Sequence, residues 1–354
     1  MTQAQPPSPP SVTVLVPVYN DWAAVSHLLR HLDGAFAAAG LPAARVLLID
    51  DGSTEAPSPT LVTDALSGRE PRGLSRVDVL HLRRNLGHQR AIAIGLSYIE
   101  ANVPCDAVVV MDGDGEDAPE DIPALLARFD QLGRRKAVFA ERARRTEKLT
   151  FRLFYRLYKG AHLLLTGRRV QVGNFSVVPA PLVARLVVVS DLWNHYAAAV
   201  FKARLPIDMV PLARGHRYAG ESRMNFVSLV IHGLSAMSVY GDSIGVRLLT
   251  AVGLLMSLFL VGAVGLGAAW ALGAPLPRWT GAAVGVSLFL LVQMLLVALV
   301  FVFIVLAGRD SSAFLPVRDH VYYISSVAAL YRSSSAPETP ADRDARAAAA
   351  TAPG

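Results

Sequence analysis

The chain has 354 residues, 34 Lys and Arg against 28 Asp and Glu, and a formal net charge of +6. Hydrophobic residues make up 53% and charged ones only 18%, with a mean hydropathy of +0.38, which excludes an ordinary soluble domain and points to membrane-spanning segments. The positive charge is scattered with no aromatic-interleaved basic module, so the expected partners are anionic lipid and anionic substrates, not nucleic acid.

Residues 1–11 are polar and Pro-rich and read as a disordered lead without a cleavable signal. Short β-branched runs then alternate with amphipathic stretches. Strands are predicted over Val12–Val18, Val46–Asp50, Val77–Leu82 and Ala107–Met111, and helices over Trp22–Ala39, Gln89–Glu100 and Pro119–Leu132. This alternation predicts an α/β domain over 12–224, with a mostly parallel sheet covered on both faces and ligands at the carboxyl ends of its strands. Past Val138 the pattern loosens, with a helix expected over Glu147–Leu165, a strand over Phe175–Val178 and a helix over Leu192–Ala203.

Asn225–Tyr240 places Phe226, Leu229, Val230, Gly233, Met237 and Tyr240 on one helical face and Ser228, His232, Ser235 and Ser238 on the other. Residues 225–243 are therefore expected to form an amphipathic helix in the membrane interface. No charge interrupts Leu248–Leu272 or Gly281–Ala307, and each run exceeds the roughly 20 residues that cross a bilayer. With Pro275 and Pro277 in the short connection, 244–307 reads as a transmembrane hairpin. Arg247, Arg309 and Arg318 flank it against Arg278 alone in the turn, so both large ends are expected in the cytoplasm, at the inner (plasma) membrane. A lone Cys105 agrees with a reducing compartment. Residues 308–332 are expected to be a cytoplasmic juxtamembrane segment with a short helix over Asp319–Tyr331, and 333–354 a disordered tail.

The polar residues gather after the strands. Asp112-Gly113-Asp114 follows an apolar strand, with Glu116 two residues on; such carboxylates can hold Mg²⁺ or Mn²⁺ against a diphosphate and act as the catalytic pair. Val16-Pro17-Val18-Tyr19-Asn20-Asp21 closes the first strand and Asp50-Asp51-Gly52-Ser53 the second. Singly, each reads as turn and cap chemistry; together they surround one ligand. Arg90, opening the helix after the third strand beside His88, suits a phosphate. Lys148, Arg152, Arg156 and Lys159 form one stripe on the Glu147–Leu165 helix, with Arg142 upstream; a solvated basic face explains this as well as a lipid-phosphate contact does.

These motifs, in this order, resemble glycosyltransferase family 2, and within it the polyprenyl-phosphate glycosyltransferases. The resemblance runs from about Val12 to Ala307 and rests on the turns above, on Asn85–Gly95, on the Phe151–Leu164 stretch, on Arg217–Arg223 and on the two terminal spans. It implies a GT-A fold and inverting transfer of one sugar from a UDP- or GDP-sugar to a polyprenyl phosphate. It also implies base contacts at Pro17, Tyr19 and Asp51, sugar-nucleotide contacts at Asn20 and Asp21, metal and diphosphate ligation at Asp112, Asp114 and Glu116, and acceptor-phosphate contacts at Arg142, Arg156 and Arg217. A homo-oligomer is left open.

The chain departs from the family pattern at Asp21, Glu116 and His88, where Glu, Gln and Lys are usual. It also reads Gly173-Asn174-Phe175-Ser176 where many members carry an aspartate. A missing base would be awkward for a hydroxyl acceptor, but a phosphate monoester is already largely a dianion at neutral pH. Transfer to a lipid or glycan hydroxyl, and a catalytically silent nucleotide-binding scaffold, are the alternatives.

Overall fold

The computed structural model describes residues 9–142, 159–167, 172–213, 215, 217–218, 226–310 and 314–334. The chain forms two compact units. One takes residues up to Thr146, Gln171–Ser235 and the stretch from Phe314; the other takes Glu147–Val170 and Ala236–Ala313.

The first unit is built on one eight-stranded sheet: β1 (Val12–Val18), β2 (Ala44–Asp50), β3 (Leu74–Leu82), β4 (Ala107–Val110), β5 (Ala137–Arg142), β6 (Val172–Pro179), β7 (Ile207–Leu212) and β8 (Ile324–Arg332). Their spatial order is β7-β5-β6-β4-β1-β2-β3-β8. Pairs β1–β2, β2–β3, β1–β4 and β5–β7 are parallel, whereas β3–β8, β4–β6 and β5–β6 are antiparallel. Helices α1 (Trp22–Ala38), α2 (Leu61–Ala65), α3 (His88–Asn102) and α4 (Ile122–Gln131) make the crossovers.

Central strands buried on both faces must be apolar throughout, and they divide into two cores. Val12, Val14, Val16 and Val18 pack with Leu28, Leu29 and Phe36 of α1 and Phe129 of α4. Leu15, Leu47 and Ile49 pack with Ile92, Leu96 and Ile99 of α3 on the other face. The expected first half of the domain is present almost residue for residue. Strands β5 and β7 and the short helix α2 carried too little periodicity to be expected.

The expected helix over Asp319–Tyr331 is not formed. Pro316–Asp319 makes a single turn and His320–Tyr323 a 3₁₀ turn, after which the chain runs as β8. Ile324, Val327, Ala329 and Tyr331 pair with Leu82, Leu80, Asp78 and Val77, and the Arg83 N–H donates to the Tyr323 carbonyl at 2.9 Å. Phe314 and Tyr323 pack on Trp193. Backbone pairing with an open β3 edge overrides the helical spacing of this segment. The sheet therefore draws on residues far beyond 224.

Between β6 and β7 lie α6 (Ala180–Leu186) and α7 (Tyr196–Lys202), the latter replacing the later part of the helix expected over Leu192–Ala203, whose start is a separate 3₁₀ turn. Of the expected Glu147–Leu165 helix, 159–166 is helical (α5), while Lys148, Arg152, Arg156 and the side chain of Arg142 lie outside the described residues. The expected amphipathic helix is present as α8 (Phe226–Ser238).

In the second unit α9 (Gly241–Ala271) and α10 (Thr280–Asp310) form an antiparallel hairpin, with Gly241 and Gly245 against Val305 and Val302. Their mean hydropathies over the most apolar windows are 2.3 and 3.2, yet only 6% of each window is buried. Leu258, Val261, Phe289 and Phe303 face outward. A buried core helix would hide these side chains; exposed apolar surface of this extent calls for an apolar medium around it.

Candidate active site

Because β1, β2, β3 and β4 are parallel, their carboxyl ends open on one edge of the sheet, and β6, running antiparallel beside β4, starts at that same edge. The register Val110↔Ser176 thus brings Asn174 beside Asp112. Asn174 Nδ2 donates to Asp112 Oδ1 at 3.2 Å.

The acidic loop after β4 is held from within. The Asp112 N–H donates to Asp117 Oδ2 at 3.0 Å, and the Glu116 N–H to Asp114 Oδ1 at 3.0 Å. Asp117 is buried and serves the loop backbone; sequence reasoning passed over it, although an acid closing a Gly-rich acidic turn is the usual signature of such a bond. Gly215, Arg217 and Tyr218 lie across this loop. The Gly215 N–H donates to the Glu116 carbonyl and the Tyr218 N–H to the Asp114 carbonyl, at 3.0 and 2.9 Å. Arg217 Nη2 stands 3.1 Å from Asp114 Oδ2, while its Nε is buried and meets no hydrogen-bond acceptor among the described residues. The Tyr218 ring stacks on His31 at 4.9 Å. Burial, with Glu120 and Asp114 nearby, pushes its hydroxyl up to about 12.

On the other side of β1 the two turns are knitted together. Asn20, at φ 50°, accepts from the Thr54 N–H at 2.8 Å through Oδ1 and donates its own N–H to Ser53 Oγ at 2.9 Å. Its side-chain oxygen thus fixes the turn. Asp50 receives the Ser53 N–H and His81 Nδ1. Asp51 accepts the Leu86 and Gly87 N–H groups at 2.7 and 2.8 Å. Burial outweighs those two bonds and raises the Asp51 carboxyl from 3.8 to about 6.

Tyr19 is 43% exposed and free to lie against a flat ligand, and Asp21 precedes α1 without capping it through its side chain. Pro17 sits at the end of β1, paired with Ile49. Arg90, on the first turn of α3, lies over Trp193 with its guanidinium carbon 5.1 Å from the ring centre. The structure therefore gathers Tyr19, Asp21, Asp51, Asp112, Asp114 and Arg217 on one rim.

The donor set suits a hard divalent cation. Asp112 and Asp114 offer carboxylate oxygens at a strand end, and a guanidinium already lies against Asp114. Among the described residues no three His, Cys, Asp or Glu groups cluster tightly enough to cage a metal, Asp112, Asp114 and Glu116 included. Two carboxylates, with the rest of the shell from phosphate and water, is how Mg²⁺ is commonly held.

Residues 13–181 match the model of glycosyl transferase family 2. The chain carries a glycosyltransferase family 2 domain. An undecaprenyl-phosphate 4-deoxy-4-formamido-L-arabinose transferase from Klebsiella pneumoniae subsp. pneumoniae is 38% identical over 120 residues, and one from Enterobacter sp. (strain 638) 34% identical over 120. Each alignment spans 34% of this chain and 34% of the relative. Among solved structures, glucosyl-3-phosphoglycerate synthase from Mycobacterium tuberculosis has a TM-score of 0.47 at 16% identity, covering 67% of this chain and 80% of that one. A mannosyltransferase from Pyrobaculum calidifontis, in complex with GDP-Man and Mn²⁺, has a TM-score of 0.42 at 15% identity, covering 86% and 88%.

Proposed function

We propose that this family 2 domain transfers one sugar from a UDP- or GDP-sugar to a polyprenyl phosphate, undecaprenyl or dolichyl, at the cytoplasmic face of a membrane, with inversion at the anomeric carbon. The observation that carries the acceptor class is the Asn174 amide, which stands against Asp112 as a donor. Asn174 can take no proton from an acceptor. A phosphate monoester needs none removed, since its second pKa is near 6. The undecaprenyl-phosphate transferases among the relatives support the same acceptor.

Tyr19 and Asp51 receive the base and Asp21 the sugar-nucleotide, while Asp112 and Asp114 hold Mg²⁺ or Mn²⁺. When bound, the cation offsets charge on the departing diphosphate. An acceptor oxygen forms a bond to the anomeric carbon from one face as the bond to the nucleoside diphosphate breaks on the other. Arg217, aided by Arg142 and Arg156, takes the acceptor phosphate, and its fork can donate two parallel bonds to it. Membranes bearing the full chain, given radiolabelled UDP- or GDP-sugar and undecaprenyl phosphate, are expected to yield organic-extractable label that mild acid releases. Label appearing only in a hydroxyl-linked, acid-stable product would replace this reading with transfer to a lipid or glycan hydroxyl.

Both flanks of the hairpin share one side of the membrane in this reading. The pairing of β8 with β3 supports it, because the chain after α10 rejoins the sheet that precedes α9. Arg247, Arg309 and Arg318 support the cytoplasm as that side. Reporter fusions at Met1 and Gly354 should both behave as cytoplasmic; export of either reporter would overturn the topology.

A further inference from the structure

Asn174 and Gln89 are both buried, 6% and 7% exposed, and neither is assigned a direct contact with nucleotide or acceptor. They belong to one chain of hydrogen bonds whose direction is set at its far end. The Tyr196 N–H donates to Gln89 Oε1 at 2.6 Å. A backbone N–H can only donate, so that atom of Gln89 is the oxygen and its partner the amide nitrogen. Gln89 Nε2 then donates to Asn174 Oδ1 at 3.1 Å, and its second hydrogen meets His88 Nε2 at 3.0 Å. With its oxygen accepting, Asn174 presents Nδ2 to Asp112 Oδ1 at 3.2 Å. Each amide is thereby oriented by the one before it, and the series ends on a carboxylate oxygen that must accept.

We propose that Gln89 and Asn174 are positioning residues that hold the Asp112 carboxylate in its cation-binding orientation. Asn174 thus has a role that an aspartate could not fill: with the Gln89 amide donating to it, an acid at 174 would turn a second acceptor toward Asp112. The Asp117 bond to the Asp112 N–H fixes the backbone of the same residue, so Asp112 is held at both ends. One Oδ1 bond leaves its remaining lone pairs to a cation. Metal-ligand orientation of this kind is governed by the partners behind the ligand, whose loss typically weakens metal binding about 10- to 100-fold.

The proposal rests on the reading of Asp112 as a metal ligand, and the test separates the two. Mn²⁺ binding is measured by electron paramagnetic resonance on the full chain in detergent, with and without UDP, for Asn174→Leu, Asp112→Asn and the double variant. Asn174→Leu alone is expected to weaken Mn²⁺ binding about tenfold. In the Asp112→Asn background the same change should have no further effect, because its route to the metal is gone. Gln89→Leu, one bond further back, should weaken Mn²⁺ binding in the same sense and less, which keeps the test open if Asn174→Leu folds poorly. Thermal melting reports that separately. Unchanged Mn²⁺ affinity in Asn174→Leu and Gln89→Leu, with binding lost in Asp112→Asn, would overturn the positioning role and leave the metal site standing. Additive losses in the double variant would also overturn it. Normal binding in Asp112→Asn would remove the metal assignment itself, and the positioning role with it.

Discussion

Asp112→Asn is expected to lower sugar transfer by about a hundred- to a thousandfold, with little change in folding stability. The second half of that statement comes from the geometry. Asparagine at 112 keeps an Oδ1 acceptor for Asn174 Nδ2, and the backbone N–H that binds Asp117 is untouched. The loop after β4 should therefore keep its shape while losing the charge that a divalent cation needs. The measurement is a pair: initial rates across a Mg²⁺ or Mn²⁺ series, and a thermal melt of the same preparation. A variant that melts like the parent and transfers sugar at a near-normal rate would falsify the role given to Asp112. A Tm lowered by many degrees would instead assign Asp112 to the fold.

The second large effect concerns Gly52. This residue has φ +70°, and a Cβ there would stand 2.6 Å from the Asn85 nitrogen and 2.7 Å from the Arg84 carbonyl carbon. Both obstacles are backbone, so neither can rotate aside. Gly52→Ala combines left-handed strain with overpacking and is expected to cost about 2–4 kcal/mol. It also pushes apart the turn after β2 and the segment leading into α3, which Asp51 joins through Leu86 and Gly87. Nucleotide-sugar binding should therefore fall together with stability. Gly40→Ala is the control: its φ is +62° with nothing within 4 Å, so strain alone remains, about 1–2 kcal/mol. Equal melting temperatures and equal donor affinity for the two variants would show that the turn after β2 yields where the geometry says it is blocked.

The parts of this architecture that the sequence disclosed are those where local pattern and tertiary burial agree. Strands β1, β2 and β4 are largely apolar runs, β3 keeps an apolar core at Val77, Val79 and Leu80, and α1, α3 and α4 carry amphipathic spacing, so each was legible on its own. The acidic turn at Asp112–Asp114 was legible for the same reason, being a polar interruption directly after an apolar strand. Strand β8 was not: its pairing with β3 is decided by an edge more than two hundred residues earlier, and no window of sequence contains that information. Asn174 was seen, but only as the lack of an acid. Its meaning depends on the β4–β6 register and on which way Gln89 is turned by Tyr196, both tertiary facts. At Asn20 the side-chain oxygen accepts from Thr54, a bond across two strand ends that spacing alone does not reveal.

Strand β8 also fixes the order in which the molecule can be completed. Synthesis delivers β3 early and β8 last, with the whole helical hairpin in between. Until the ribosome has released Ile324–Arg332, the β3 edge offers a row of unpaired backbone groups to any other extended chain. Closing that edge brings together residues very distant in sequence, which is slow in folding terms. In the proposed topology, a chain that inserted one helix of the two would strand β8 on the far side of the bilayer and keep an open β3 edge. In that topology the last strand therefore seals the domain that carries the acidic loop only after both helices have been inserted.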